Sequence, residues 1–250
     1  MKKHLLLLFA ALLPLVASAE KVEIDGIWYN LTAETREAKV TNNGYRSYSG
    51  DITIPATITY EDVTYSVTSI GVYAFEDCRS LTSINIPESV TSIGDLAFRG
   101  CSSLTSITIP EGVTSIGEGA FAGCSSLTAI VVAEGNKVYD SRGGCNAIIE
   151  TSTNTLLQGC SSTIIPESVT SIGNSAFFNC SSLTSITIPK SVTSIGNDAF
   201  YGCTSLTAIN IPEGVTSIGG SAFWNCTSLT AITIPEGVTS IGGSAFYGCN

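Results

Sequence analysis

The stretch SLTSITIPEGVTSIGEGAFAGC, Ser103–Cys124, recurs along most of the chain with only a few letters changed. Aligning the chain with itself gives a period of 23 residues, and a fixed period of this size marks a repeat architecture. Valine returns at Val67, Val90, Val113, Val169, Val192, Val215 and Val238, and isoleucine follows three positions later each time. Each of those isoleucines precedes a glycine, then an Ala-Phe pair such as Ala120-Phe121, then a cysteine three residues past the phenylalanine. A second apolar set opens each unit, as in Leu104, Ile107 and Ile109, and Pro110 closes it.

LTSITIP reads as a short β-strand with alternate side chains buried, rich in β-branched residues and stopped where proline withdraws its N–H. VTSIG reads as a second short strand, its glycine allowing the turn that follows. AFxGC is too short for an α-helix, so an irregular or 3₁₀ turn that carries the phenylalanine inward is expected. One unit cannot bury this many apolar side chains alone, but stacked units can, each column lying over the next at about ~4.8 Å. The expected fold is therefore mainly β, a solenoid of 23-residue units.

The line LTSITIPEGVTSIGxxAFxGCSS, from about Ile52 to the end, resembles the consensus of the BspA-like leucine-rich repeats of bacterial and protozoan surface proteins. The resemblance implies a leucine-rich-repeat solenoid. It also implies a non-enzymatic role in attachment to host matrix proteins, epithelial cells or other microbes. The family offers no shared catalytic residues to carry over, and its binding residues follow no motif.

Two places depart from the period. Nine extra residues lie between Pro55 and Ile70, where TITYEDVTYSV fits a hairpin. Together with the preceding segment this gives an amino-terminal β cap over residues 20–66, with repeats over 67–250. A terminal unit needs a polar outer face, which such a cap provides. The second break, at about 131–163, contains NAIIETSTNTLLQGC, read as strand, turn, strand with the tip at Thr151–Asn154. At the far end the sequence stops at Asn250 in mid-unit. An uncapped solenoid end exposes apolar surface and strand edges, so either that end self-associates or the sequence is part of a longer product.

Residues 1–19 have the form of a secretory signal peptide: Lys2 and Lys3, an apolar run from Leu5 to Leu15, and small residues at Ala17-Ser18-Ala19. An exported product is expected, secreted, periplasmic or on the cell surface, with no membrane insertion after the leader is removed. The formal net charge is −10, and losing two lysines makes it more negative. That sign opposes binding to nucleic acid or to anionic membranes. The only histidine, His4, leaves with the leader, which rules Ser-His-Asp or Cys-His catalysis and histidine-ligated metals out of the mature chain.

Seven of the nine cysteines fall in one column at the repeat period. Neighbours ~4.8 Å apart with parallel Cβ directions suit neither a disulfide, which needs Cβ atoms about 3.8 Å apart, nor a metal, whose ligands converge on a point. Free thiols acting as small core residues are expected, with no metal and no cofactor. Cys145 and Cys160 differ. A hairpin centred on Thr151–Asn154 would set them face to face as a candidate disulfide, the alternative being that Cys160 continues the column.

The irregular polar cluster NKVYDSRGGCN, with Lys137, Tyr139, Asp140 and Arg142, is a solvated turn braced by an Asp–Arg pair or, alternatively, the site of a glycan-cleaving enzyme. The main strands present small uncharged residues outward, such as Ser106/Thr108 and Ala208/Asn210, and an acidic edge of Glu88, Glu111, Glu167, Glu213 and Glu236 follows the prolines. The most informative column is the residue after Ala-Phe. It runs Glu76, Arg99, Ala122, then Phe178, Tyr201, Trp224 and Tyr247, so it is aromatic throughout after the second break. Stacked at unit spacing the four rings form a stripe about 15 Å long. The stripe either anchors an extracellular protein or glycan ligand, the latter making the chain a glycan-binding accessory protein, or folds back to thicken the core.

Overall fold

The computed structural model describes residues 20–44 and 48–249; the expected leader, residues 1–19, lies outside the described residues. β1 (Glu20–Ile24) pairs antiparallel with β2 (Ile27–Thr32) across Asp25-Gly26, both left-handed at φ 50° and 79°. Such a turn matches the twist of antiparallel strands. β3 (Glu37–Thr41) pairs antiparallel with β2. Alternation in these strands sends Ile27, Tyr29, Leu31, Ala38 and Val40 into the core.

After β4 (Gly50–Thr53), β5 (Thr57–Tyr60) and β6 (Val63–Ile70) form a hairpin through Glu61-Asp62. On its other face β6 runs parallel to β3, which joins the meander to the repeats.

Each repeat then contributes a longer and a shorter strand. The longer ones are β7 (Leu81–Asn85), β9 (Ser106–Ile109), β11 (Ala129–Val132), β16 (Ser185–Thr187), β18 (Ala208–Asn210) and β20 (Ile232–Thr233). The shorter ones are β8 (Ser92–Ile93), β10 (Ser115–Ile116), β15 (Ser171–Ile172), β17 (Ser194–Ile195), β19 (Ser217–Ile218) and β21 (Ser240–Ile241). Within each column like residues pair in parallel, Ile107 with Ile130 and Ile195 with Ile218 for example. Parallel pairing with no residue slipped is what an unbroken period dictates, since a slip of one would turn the buried set outward.

The AFxGC segment forms a third laddered side. Within one turn, Ala74, Glu76 and Cys78 donate their N–H groups three residues back, to Gly71, Tyr73 and Phe75. The alternate residues Tyr73, Phe75 and Asp77 donate to the carbonyls of Asp95, Ala97 and Arg99 in the next unit. Two left-handed residues per turn make this alternation, as at Tyr73 and Asp77 or Ser221 and Asn225. One of the two columns is Asp, Asn or Gly throughout (Asp77, Gly100, Gly123, Asn179, Gly202, Asn225, Gly248), the residues for which that conformation costs least. The alternation carries each phenylalanine inward. Phe75, Phe98 and Phe121 stack at 5.0 and 5.1 Å, as do Phe177, Phe200 and Phe223 at 5.0 and 5.2 Å, all essentially without exposure.

The second break contains β12 (Tyr139–Asp140), β13 (Ala147–Glu150) and β14 (Thr155–Gly159), with β13 and β14 a hairpin. β14 takes the place of a short strand beside β15, and Ser161 and Ser162 bond back to the carbonyls of Leu127 and Thr128. The break thus adds strands but no turn. Gly123 donates to the carbonyl of Phe178 at 2.9 Å, joining the turns on either side of it directly. Inside, the backbone N–H of Gly159 takes the carbonyl of Ala176, and Gly159 lies so close to the Phe177 ring that a Cβ there would overlap it. The buried side chains fall into two clusters that meet at this wedge.

The candidate Cys145–Cys160 disulfide is not formed. Near the hairpin tip Glu150 opposes Thr155, but the register shifts between Ile148 and Ile149, so that Ala147 opposes Gly159. The shift takes Cys145 out of opposition to Cys160. The two sit in different core clusters, and all nine cysteines are free thiols.

Candidate binding groove on the turn side

Phe178, Tyr201, Trp224 and Tyr247 each follow by one residue an inward phenylalanine, buried at Phe177, Phe200 and Phe223 and partly buried at Phe246, so the backbone that drives those rings inward turns these four outward. Phe178 and Tyr201 stack at 4.7 Å between centroids and 8° between planes, Tyr201 and Trp224 at 6.1 Å and 11°. Trp224 and Tyr247 lie 4.3 Å apart at 30°. The first three rings are partly exposed and Tyr247 is 65% exposed. They form a surface ridge, and do not fold into the core.

The orientation decides what the ridge can offer. Successive rings face one another along the solenoid axis, so the faces of Phe178, Tyr201 and Trp224 are turned toward neighbouring rings. A ligand approaching from outside meets ring edges, which carry the positive end of the aromatic quadrupole. A sugar ring needs a free face to stack on, and such a face is most open at Tyr247.

Beside the ridge runs a groove of about 630 Å³. At one end it is lined by Asp77, Arg79 and Arg99, at the other by Phe178, Tyr201 and Asn225, with Gly100, Gly123 and Gly202 between. Ser102, Ser125, Ser181 and Thr204 supply a row of hydroxyls. The backbone beneath is continuous across six units. Asp77, Gly100, Gly123, Asn179, Gly202 and Asn225 each donate to the next unit at 2.6 to 2.9 Å. The guanidinium end and the aromatic end, far apart in sequence, are therefore brought together by the Gly123–Phe178 bond. Arg79 pairs with Asp77 at 3.4 Å and Arg99 with Glu76 at 3.1 Å, both in solvent-exposed positions. Arg79 and the hydroxyl row were not singled out in the sequence. The signal was available, because they lie just past the cysteine in each unit, two positions beyond the left-handed column.

The polar cluster of the second break is a brace. Arg142 grips the Asp140 carboxylate through Nε at 2.8 Å and Nη2 at 2.7 Å, and its Nη1 reaches Asn154 at 2.9 Å and Ser168 at 3.1 Å. The hydrogen bond to Asp140 is the chief reason the guanidinium holds its proton more tightly than usual. Tyr139 is buried, its hydroxyl accepts the Ile116 N–H at 3.0 Å, and burial raises its pKa. Buried Asn136 uses its amide to bond the carbonyls of Pro110 and Val113 and its oxygen to accept from Val138 and Tyr139. Asp140, Arg142 and Asn136 are thus engaged within the chain.

The outward residues of the longer strands, Ser106, Thr108, Thr187, Asn210 and Thr233 among them, are exposed and uncharged. The acidic edge is exposed, interrupted by Lys190 after Pro189, and among the described residues no three His, Cys, Asp or Glu side chains gather as metal ligands would.

The model of the BspA-type leucine-rich repeat region matches in six copies over residues 54–151 and 147–250. The chain belongs to the BspA-type leucine-rich repeat family. Among solved structures, this BspA-type chain is similar to a leucine-rich cell surface protein from Faecalibacterium prausnitzii, at 25% identity and TM-score 0.53 over 93% of both chains. It is also similar to a leucine-rich repeat protein of T. pallidum, at 28% identity and TM-score 0.51 over 92% of this chain and 89% of that one. The pneumococcal vaccine antigen PcpA shares the fold, at 18% identity and TM-score 0.56 over 90% of this chain and 78% of its own. Curated proteins give no match.

Proposed function

We propose that this BspA-type protein is a non-enzymatic, exported binding protein that engages a protein partner at the cell surface, as an adhesin does. The observation that carries the reading is the partly exposed stack Phe178–Tyr201–Trp224–Tyr247 beside a groove that crosses six units. Aromatic side chains on a rigid, laddered backbone are what binding hot spots are made of, because little entropy is lost on contact. Similarity to the F. prausnitzii cell surface protein supports the surface address, and no helix among the described residues is long and apolar enough to cross a membrane.

The glycan-binding alternative is the weaker, because the inner rings turn their faces to one another. The glycan-cleaving alternative loses its residues to the brace, where Asp140 and Arg142 are committed to each other.

The test is binding of the purified protein to immobilised extracellular matrix proteins and to a glycan array, beside a folded Tyr201→Ser/Trp224→Ser variant. The native protein is expected to bind a matrix protein and the variant to lose at least tenfold in affinity. Equal binding by both would remove the ridge from the site, and glycan binding alone would replace the reading.

A further inference from the structure

We infer that the turn-side groove receives an extended, acidic polypeptide segment, with carboxylates held by Arg79 and Arg99 and the rest of the segment lying along the aromatic ridge. The inference rests on the reading above and specifies its partner.

Three observations lead to it. The first is charge. The protein carries a formal net charge of −10, yet the lining of this groove holds two guanidiniums and one carboxylate, Asp77. With Glu76 beside Arg99 the charges at this end balance, so on a molecule that is acidic overall a ligand carboxylate meets guanidiniums here without net local repulsion. Among the described residues each arginine has a single exposed ion pair, at 3.4 and 3.1 Å. Pairs of that kind contribute little and are readily exchanged for a bidentate carboxylate.

The second observation is shape. Six units at ~4.8 Å give a trough about 24 Å long, which an extended chain rising ~3.3 Å per residue crosses in about seven residues. The lining suits a peptide backbone, with the hydroxyls of Ser125, Ser181 and Thr204 and the amides of Asn179 and Asn225 spaced along it. Each of these groups can both donate and accept, matching the alternating N–H and C=O of an extended segment.

The third observation is ring orientation, which separates a polypeptide from a carboxylated polysaccharide. Phe178, Tyr201 and Trp224 stack on their neighbours and turn edges outward. Positive edges favour carbonyl and carboxylate oxygens and apolar side chains, whereas pyranose rings require faces.

The test uses three fluorescein-labelled decapeptides, alternating Glu-Ala, Gln-Ala and Lys-Ala, with polygalacturonate as an acidic glycan. Binding to the full chain is followed by fluorescence anisotropy, or by competition for the glycan. The Glu-Ala peptide is expected to bind at least tenfold more tightly than Gln-Ala, with Lys-Ala weakest. Arg79→Glu/Arg99→Glu should remove the Glu-Ala preference, and both side chains are exposed, so the variant keeps its fold, checked by its thermal melt. Equal binding of Glu-Ala and Gln-Ala, or an unchanged preference in the arginine variant, would overturn the acidic assignment and leave the aromatic reading standing. An unaltered affinity in Tyr201→Ser/Trp224→Ser would overturn the aromatic reading itself. Binding of polygalacturonate without any peptide, or of no probe at millimolar concentration, would overturn the polypeptide assignment.

Discussion

The Cys203 thiol donates a hydrogen bond to the carbonyl of Phe177, 26 positions earlier, at 3.2 Å. The same carbonyl accepts the Cys180 N–H at 3.0 Å, so both its lone pairs are used. The relation repeats at Cys101 to Phe75, Cys124 to Phe98, Cys226 to Phe200 and Cys249 to Phe223, between 3.1 and 3.2 Å. The cysteine column is therefore more than small apolar filler. Five of its seven thiols tie the turn of one unit to the phenylalanine of the unit before it, while Cys78 and Cys180, with no such phenylalanine behind them, turn to the carbonyls of Glu76 and Gly159.

Cys203→Ala removes that bond and the sulfur's packing while leaving the Phe177 carbonyl one partner. The expected loss is about 1–2 kcal/mol, read as a lower urea midpoint with an unchanged slope. Cys249, which is only partly buried, should lose less on the same change.

The buried thiols also make stability fall in alkali. Burial pushes the Cys180 and Cys226 thiols up to about 12, and raises Cys101, Cys203 and Cys249 as well, with the bond to Cys124 the leading cause at Cys101. A raised folded-state pKa means that the stability is fully present below the unfolded thiol value of about 8.5. Above it the unfolded chain gives up protons that the folded chain keeps, so each thiol lowers stability by up to about 1.4 kcal/mol per pH unit until its folded pKa is reached. The melting temperature should fall steeply from about pH 9 to about pH 11, between the unfolded and the raised folded thiol values, and less steeply in a Cys180→Ala/Cys226→Ala variant. A pH-independent melt over this range would contradict the buried, protonated state.

Gly202 is left-handed at φ 68°, and the Asn179 side-chain oxygen occupies the space its Cβ would need. Gly202→Ala meets both penalties and is expected to cost about 1–3 kcal/mol. Adding Asn179→Ala should restore only the steric part, so a double-mutant cycle gives a coupling of opposite sign to the single losses.

Arg142→Met strips the brace from Asp140, Asn154 and Ser168. A loss of about 1–3 kcal/mol is expected, with faster amide exchange across 138–155 and unaltered binding at the groove. Loss of binding in the folded variant would show that the break belongs to the binding surface.

The legibility of this molecule in its sequence varies from one side of the repeat to another. LTSITIP and VTSIG could be read as strands because alternation and β-branching act locally, and the inward phenylalanine follows from a column that never varies. The third ladder was less visible. Its Asp77/Gly100/Asn179 column signals left-handed backbone, whereas Tyr73, Leu96 and Ser221 adopt the same conformation with no signal in their residue type. The hairpin at Thr151–Asn154 was legible, but the shift at Ile148/Ile149 that parts Cys145 from Cys160 was not, because a bulge is settled by what packs on each face of the strand.

The sequence by itself determined the period, the parallel register and the inward columns of isoleucine, leucine and phenylalanine, since each depends on side chains that repeat with the backbone they bury. It also determined that an aromatic column begins after the second break. Tertiary structure alone decided that this break adds strands without a turn, so that Gly123 meets Phe178 and the arginine and aromatic ends share one groove. It decided too that the rings stack on one another with their edges outward, because a ring's orientation is set by the neighbour it packs against, and that neighbour lies 23 residues away along the chain.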